Sequence, residues 1–234
     1  ESYIDYGERT ESVPVPYERE DFRKDFPEGG IFVQKRGKTY LLGNMAKGGV
    51  IKLFDIDAKK LLHNDCGIIG RTTSGQMLTS QWVGHDYTWN TSENGFVVEG
   101  SLHTIPMSKI FTPLKRIVFI VFMLMFGWNA TLAYKIKGLI RKILVFSKKS
   151  APVSFKREVI LGQSSLQIND TITLTGDTTF ADLQISDEFF VRYVPQSLYF
   201  QSQEFDAKAI HLTQDQLATL NKEKIFILER HIDI

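Results

Sequence analysis

The sequence has a single cysteine, Cys66, among its 234 residues. One thiol cannot form an intramolecular disulfide, so we exclude a disulfide-stabilised scaffold and predict Cys66 to be a small, buried strand residue. Metal-ligand spacings such as His-x-x-x-His or Cys-x-x-Cys are missing, as are a phosphate-binding glycine loop and a Gly-x-Ser-x-Gly turn. We therefore expect neither a metal ion nor a cofactor.

Acidic residues are missing from the middle of the chain. No Asp or Glu lies between Gly100 and Arg157, and this stretch holds 11 of the 28 Lys and Arg residues, so 17 basic residues remain against all 27 acidic ones. The net charge of +1 therefore averages an acidic body and a basic insert. We place that insert at residues 107–150.

The insert predicts a pair of α-helices. Residues 117–134 are 18 residues without a charge, which as a helix would measure roughly 27 Å, the lower limit for crossing the hydrocarbon core of a bilayer. The second half repeats apolar residues at helical spacing, with basic residues mostly on the other face. The residues expected to contact a membrane or a partner are Phe119, Phe122, Trp128, Lys135, Lys137, Leu139, Arg141, Lys142 and Ile143.

Three locations of this insert fit the pattern. We favour an anchor in the interface of an anionic membrane, which makes the protein membrane-associated, either peripheral or monotopic. The alternatives are a soluble cytoplasmic or periplasmic protein whose helices pack on a neighbouring domain, and a true membrane span. The basic residues alternate with aliphatic rather than stacking aromatic side chains, so we expect no nucleic acid partner.

The segments on both sides of the insert read as short strands separated by Gly, Asn, Asp and Ser. They predict a mainly β protein, an antiparallel, supersandwich-like β-sandwich with the helix pair inserted into it. We expect an extended linker at residues 1–28 and the sandwich domain at residues 29–234. A hairpin turn is predicted at residues 36–38, a bulge or turn at Asp170, and one late helix capped by Thr213 before a terminal strand.

Two histidine-containing segments are candidates for chemistry. His63 in "HNDCG" and His85 in "WVGHDYTWN" are the candidate acid–base residues. The second segment also predicts a sugar-contacting loop, because aromatic faces stack on sugar rings while polar groups form hydrogen bonds. Its residues are Trp82, His85, Asp86, Tyr87 and Trp89. The alternative is a strand–turn–strand unit with both tryptophans in the core.

The series "GGIFVQKRGKTYLL", "GGVIKLFD", "LLHNDCGIIG" and "FKREVILGQSSLQINDTIT" resembles the C-terminal β-sandwich of heparinase II/III-like proteins. The resemblance covers roughly residues 29–175 without the insert. It implies a preceding α/α-toroid domain, which is not part of this sequence, and a role with acidic polysaccharide. In that family the toroid supplies most catalytic residues, so no catalytic role is carried over to this chain.

These observations lead to one hypothesis and two alternatives. The chain is expected to be a non-catalytic accessory domain, a fragment of a larger polysaccharide-processing or surface-polysaccharide assembly protein, attached to a membrane by its insert. In the first alternative it contributes His85 or His63 to a lyase site that eliminates at a uronic acid. In the second it is a structural domain whose insert docks onto a partner protein.

Overall fold

The computed structural model describes residues 15, 18–83, 86–105, 149–187 and 209–234, together with seven residues of the insert: 117, 120, 121, 124, 131, 134 and 135. Outside the insert, these ranges contain fourteen strands and one α-helix. The strands are β1 Phe22–Phe26, β2 Ile31–Arg36, β3 Thr39–Asn44, β4 Val50–Asp55, β5 Lys60–Asp65, β6 Ile68–Thr72, β7 Met77–Thr79, β8 Thr88–Ser92, β9 Gly95–Ile105, β10 Ser150–Leu161, β11 Ser165–Leu174, β12 Phe180–Ile185, β13 Ile210–His211 and β14 Ile225–Asp233; the helix, α1, is Gln214–Glu223.

The strands form two antiparallel sheets. The smaller sheet follows chain order, β1-β2-β3-β4-β5. The larger sheet has the order β13-β12-β6-β7-β9-β10-β11-β14, with β8 also paired to β9. Every described pairing is antiparallel. The prediction of a mainly β, antiparallel sandwich is therefore confirmed.

The long central strands β10 and β11 have a strict alternation of core-facing and outward-facing side chains. Along β10 and β11 every second side chain is buried, which matches the two-residue period of a strand with one face on the core. The sheets approach closely where Gly43 of β3 faces Phe96 of β9, because a Cβ at Gly43 would lie 2.5 Å from that ring. Glycine leaves the room that the ring fills, and the Phe96 ring centroid lies 5.3 Å from that of Phe32.

The helix α1 packs on β14, β12 and β11 and so lies beside strands from distant positions of the larger sheet. It begins at the predicted Thr213, whose hydroxyl accepts a hydrogen bond from the Gln216 amide, while the Gln216 side chain accepts one from the Thr213 amide. This reciprocal cap satisfies two otherwise unpaired donors. Leu217 and Leu220 face the core. The predicted helix and its cap are confirmed.

The insert leaves and re-enters the larger sheet at neighbouring points. It joins the end of β9 to the start of β10, two strands that pair directly, with His103 opposite Ser150. The Thr104 amide donates to the Lys149 carbonyl at 2.9 Å. In topological terms the insert is a long hairpin connection between β9 and β10, which are neighbours in the larger sheet. The seven described residues between positions 107 and 148 are helical; the rest of the predicted helix pair lies outside the described residues.

Two local expectations were wrong. The first strand, β1, lies inside the range expected to be a linker. It pairs along its length with β2, and Phe22 packs edge-on against Tyr40 of β3, with ring centroids 6.1 Å apart. The second error concerns Asp170, which was expected to interrupt β11 at a turn or bulge. It sits instead within the continuous strand, fully buried, at a core-facing position.

Asp170 is tolerated in the core because it belongs to a buried network of four charges. Arg157 of β10 donates to Asp170 through Nε and Nη2 at 2.6 and 3.0 Å, and to Asp65 at the end of β5 through Nη1 at 2.8 Å. Arg230 of β14 donates to both carboxylates as well. Arg157 also donates to the Gly49 carbonyl at 3.2 Å. Two carboxylates and two guanidiniums thus neutralise one another, and Asp65 connects the smaller sheet to the larger one.

The network fixes the charge states of Asp65 and Arg157. Burial alone would raise the pKa of Asp65, but Arg157 and Arg230 outweigh it and hold that pKa below its usual value. Burial likewise opposes the charge on Arg157, and the two carboxylates outweigh it and raise the pKa of the guanidinium. Asp65 and Arg157 therefore stay ionised inside the sandwich at neutral pH.

Candidate functional site

A groove of about 470 Å³ crosses the exposed face of β8, β9, β10 and β11. Along β10 and β11, side chains that face the groove alternate with side chains that face the core. Ser154 and Lys156 face outward on either side of buried Phe155, and Thr171 and Thr173 face outward on either side of buried Ile172. Short hydroxyl side chains and charged groups dominate the surface. The lining consists of Asp86, Thr88, Glu99, Gly100, Ser101, Ser154, Phe155, Lys156, Thr171 and Thr173.

A hydrogen-bonded chain supports the Asp86 carboxylate from below. Nε2 of His103 lies 3.2 Å from an Asp86 oxygen, and Nδ1 lies 3.2 Å from the Tyr87 hydroxyl. That hydroxyl donates to the Ser80 carbonyl at 2.8 Å. His103 is 1% exposed, whereas half of the Asp86 side chain faces solvent. A buried imidazole thus fixes the position of a carboxylate that lines the groove.

A glycine in β9 makes room for this arrangement. A Cβ at Gly100 would lie 2.3 Å from Cδ1 of Tyr87, so any larger residue would displace the tyrosine ring. Tyr87 also packs edge-on against Phe155, with ring centroids 5.6 Å apart. The position of Asp86, the next residue, therefore depends on a well-packed aromatic contact beneath the groove.

The groove carries more negative than positive charge. Lys156 and Glu99 lie opposite each other on β10 and β9 and form an ion pair of 3.1 Å, with about half of each side chain exposed. Such exposed pairs contribute below about 1 kcal/mol to stability, and each side chain keeps capacity for further hydrogen bonds. Asp86 adds a second carboxylate, so the lining holds two carboxylates and one ammonium group.

The structure separates the predicted sugar-contacting residues. Trp82 and Tyr87 are buried at 8% and 3% exposure, and Trp89 is partly buried and packs against the core. Asp86 lines the groove, and His85 lies outside the described residues. The positions of Trp82 and Trp89 agree better with the alternative prediction, a strand–turn–strand unit whose two tryptophans pack toward the core. A carbohydrate role for the five residues stays a prediction, with Asp86 as its accessible member.

His63, the other acid–base candidate, lies away from the groove. It pairs with the fully buried Leu53 across β4 and β5 and precedes Asp65 of the buried network by two positions. Its Nε2 is buried and has no hydrogen-bond partner in the part of the chain that the structure describes. Burial lowers the pKa of His63, and the charges of Arg230 and Arg157 lower it further against the opposing effect of Asp65. This position favours a neutral core histidine.

Cys66 is buried, as predicted, but it lies in the connection between β5 and β6 and not in a strand. It is 1% exposed, and its thiol lies 3.2 Å from the Asp187 carbonyl oxygen. Burial, assisted by the negative charge of Asp65, raises the pKa of the thiol to about 12. A thiol in this state is a poor nucleophile at neutral pH.

The insert exposes a set of apolar residues that the sequence analysis did not select. Ile117, Ile120, Val121 and Leu124 are helical and 58%, 48%, 49% and 78% exposed. Their spacing places them on one face of a helix. Lys135 is also helical and exposed. The other predicted contact residues, Phe119, Phe122, Trp128, Lys137, Leu139, Arg141, Lys142 and Ile143, lie outside the residues whose side chains are described. No hydropathy periodicity could have singled out the first set, because residues 117–126 are apolar throughout.

Within the described ranges, no helix combines the length and the apolar character required to cross a bilayer. The same ranges contain no group of three or more His, Cys, Asp or Glu side chains that could hold a metal ion. No protein-family model, curated protein or solved structure matches this chain.

Proposed function

We propose that this chain is an accessory β-sandwich module of a larger polysaccharide-handling protein, and that its helical insert holds the module at an anionic membrane surface. The observation that carries the proposal is the exposed apolar helical face formed by Ile117, Ile120, Val121 and Leu124. Clustered apolar side chains left in water are a common mark of a surface that a membrane or a partner covers.

The charge of the insert favours a membrane as the covering surface. Fully burying an aliphatic side chain contributes roughly 1.5–3 kcal/mol, and each Lys or Arg near anionic lipid adds about 1 kcal/mol. The apolar face belongs to an insert, residues 107–150, with nine basic and no acidic residues. These two contributions act together in interfacial helices, which combine apolar burial with attraction to anionic headgroups.

The connection of the insert to the sandwich is compatible with this attachment. Because β9 and β10 pair directly at the base of the insert, the helices can rest on a surface while the strands on both sides remain in one sheet. The polysaccharide part of the proposal comes from the sequence resemblance to the heparinase II/III-like sandwich. The inner-face position of His63 gives the accessory role more support than a lyase role.

Vesicle flotation tests the attachment. The chain is mixed with phosphatidylcholine vesicles with and without phosphatidylserine, and the floated fraction is measured. We expect flotation with the anionic vesicles and a decrease of about tenfold or more in apparent affinity for the Ile120→Glu/Leu124→Glu double variant, since both side chains lose their apolar burial.

The matched control is Ile227→Glu, which places a carboxylate at a similarly exposed position of β14 (57% exposed). This variant should float like the parent chain. A second variant, in which a short Asn-Gly turn replaces residues 107–148, should keep the sandwich and lose flotation. Equal flotation of all four proteins would exclude the insert as the anchor, and absence of flotation from the parent chain would leave partner docking as the better explanation.

A further inference from the structure

The groove over β8–β11 has the properties of a ligand site whose polar groups are fixed in advance. An exposed carboxylate on a protein surface ordinarily rotates freely and is hydrated. Asp86 is held instead by His103, a side chain that is 99% buried and reaches Asp86 at 3.2 Å. Fixing an acceptor before binding lowers the entropy cost of using it.

The surrounding side chains define the chemistry of the ligand. Thr88, Ser101, Ser154, Thr171 and Thr173 present hydroxyl groups along four neighbouring strands. Hydroxyls both donate and accept hydrogen bonds, and these short side chains lose little conformational freedom on binding. A ligand that matches this lining has many donors and acceptors spread over an extended surface. Sugar chains have this property.

Apolar stacking contributes little in the described lining. Phe155 is 3% exposed and engaged with Tyr87. Binding therefore depends on hydrogen bonds and charge, which makes Asp86 and Lys156 the strongest contributors because hydrogen bonds to charged groups exceed neutral ones. The two carboxylates of the lining against one ammonium group disfavour an anionic ligand.

We propose that this groove binds a glycan without negative charge, in which Asp86 accepts hydrogen bonds from sugar hydroxyls and Lys156 donates to ring or hydroxyl oxygens. The inference rests on the proposed role with polysaccharide and narrows it. It assigns neutral or amino-bearing sugar chains to this groove and leaves uronate-bearing chains, implied by the family resemblance, to other surfaces.

A panel of immobilised oligosaccharides of matched length tests the assignment, with neutral, amino-bearing and uronate-bearing members and the full chain as the analyte. We expect binding to neutral or amino-bearing members. Asp86→Asn, which keeps the shape and removes the charge, should weaken that binding about tenfold or more. Lys156→Met should weaken it as well.

The matched control is Asp182→Asn. Asp182 of β12 also contacts a histidine, His211, at 3.4 Å, but both side chains are exposed and neither lines the groove. This variant should bind like the parent chain. Unaltered thermal unfolding of Asp86→Asn establishes that its loss of affinity is local.

Three results would overturn the assignment in distinguishable ways. Uronate-selective binding that is unchanged by Asp86→Asn and weakened by salt would place the glycan on the basic insert, so the groove assignment fails and the polysaccharide role stands. Neutral-glycan binding that Asp182→Asn weakens as much as Asp86→Asn does would remove the groove as the site. Absence of binding to every class would overturn both the groove assignment and the polysaccharide role.

Discussion

Arg157 joins two carboxylates from different sheets inside the core, so its removal leaves buried charge without compensation. Asp65 and Asp170 would then share Arg230 alone. Breaking a buried ionic network by deleting one partner costs about 3–5 kcal/mol. We therefore expect Arg157→Met to lower the free energy of unfolding by about that amount, measured by urea denaturation.

The neighbouring residue on the same strand is the matched control. Lys156 points to the other face and forms an exposed ion pair with Glu99, so Lys156→Met should change the free energy of unfolding by less than about 1 kcal/mol. Similar effects of the two substitutions would show that the buried network contributes no more than a surface pair.

His63 predicts a particular pH dependence of stability. Its pKa in the folded protein lies below the ordinary 6.5, so the unfolded chain binds the proton more readily and acidification favours unfolding. The free energy of unfolding should therefore fall as the pH decreases through about 6.5. In His63→Gln this fall should be smaller, as measured by urea titrations at several pH values between about 7.5 and 5.5.

If the free energy of unfolding depends on pH equally in His63→Gln and in the parent chain, the His63 imidazole does not have different pKa values in the folded and unfolded states.

At the level of elements, the Asn221 side chain of α1 forms two hydrogen bonds with the backbone of β12, as a neighbouring strand would. The Asn221 amide group donates to the Phe180 carbonyl at 2.8 Å and accepts from the Phe180 amide at 2.7 Å. Asn221→Ala removes both bonds at the start of β12, so we expect a loss of about 1–3 kcal/mol in unfolding free energy. Hydrogen exchange of the Phe180 amide should become faster.

The adjacent Lys222 is exposed, and Lys222→Ala should leave both measurements nearly unchanged. Slow exchange at Phe180 in Asn221→Ala would mean that packing of Leu217 and Leu220 alone holds the helix against the sheet.

Elements with local signals were predictable from the sequence. The β2–β3 hairpin turns at Gly37, within the predicted range, because glycine adopts the positive φ of 55° found there. The helix α1 follows from Thr213 and the spacing of Leu217 and Leu220, and the terminal strand follows from alternation. The strand β1 was missed because its charged composition resembles a linker and its stability comes from pairing with β2.

At the scale of the whole molecule, sequence patterns could not identify partners that are distant in the chain. Arg157 and Asp65 are 92 positions apart, and Asp86 and His103 are 17 apart. A charged residue within a strand pattern ordinarily marks a turn or an exposed face, which is why Asp170 was misjudged. The fold class was predictable because alternation and turn residues are local properties. The assignment of each strand to one of the two sheets and the position of the groove depend on long-range pairing and were not predictable.

The attachment of the insert also determines how the molecule would carry mechanical load. Both ends of the insert continue into β9 and β10, strands of 11 and 12 residues near the middle of the larger sheet. A pull on the insert is therefore distributed over two of the longest ladders of hydrogen bonds instead of acting on an edge strand or a chain end. We expect a module tethered at this point to keep its core intact when the tether is under tension.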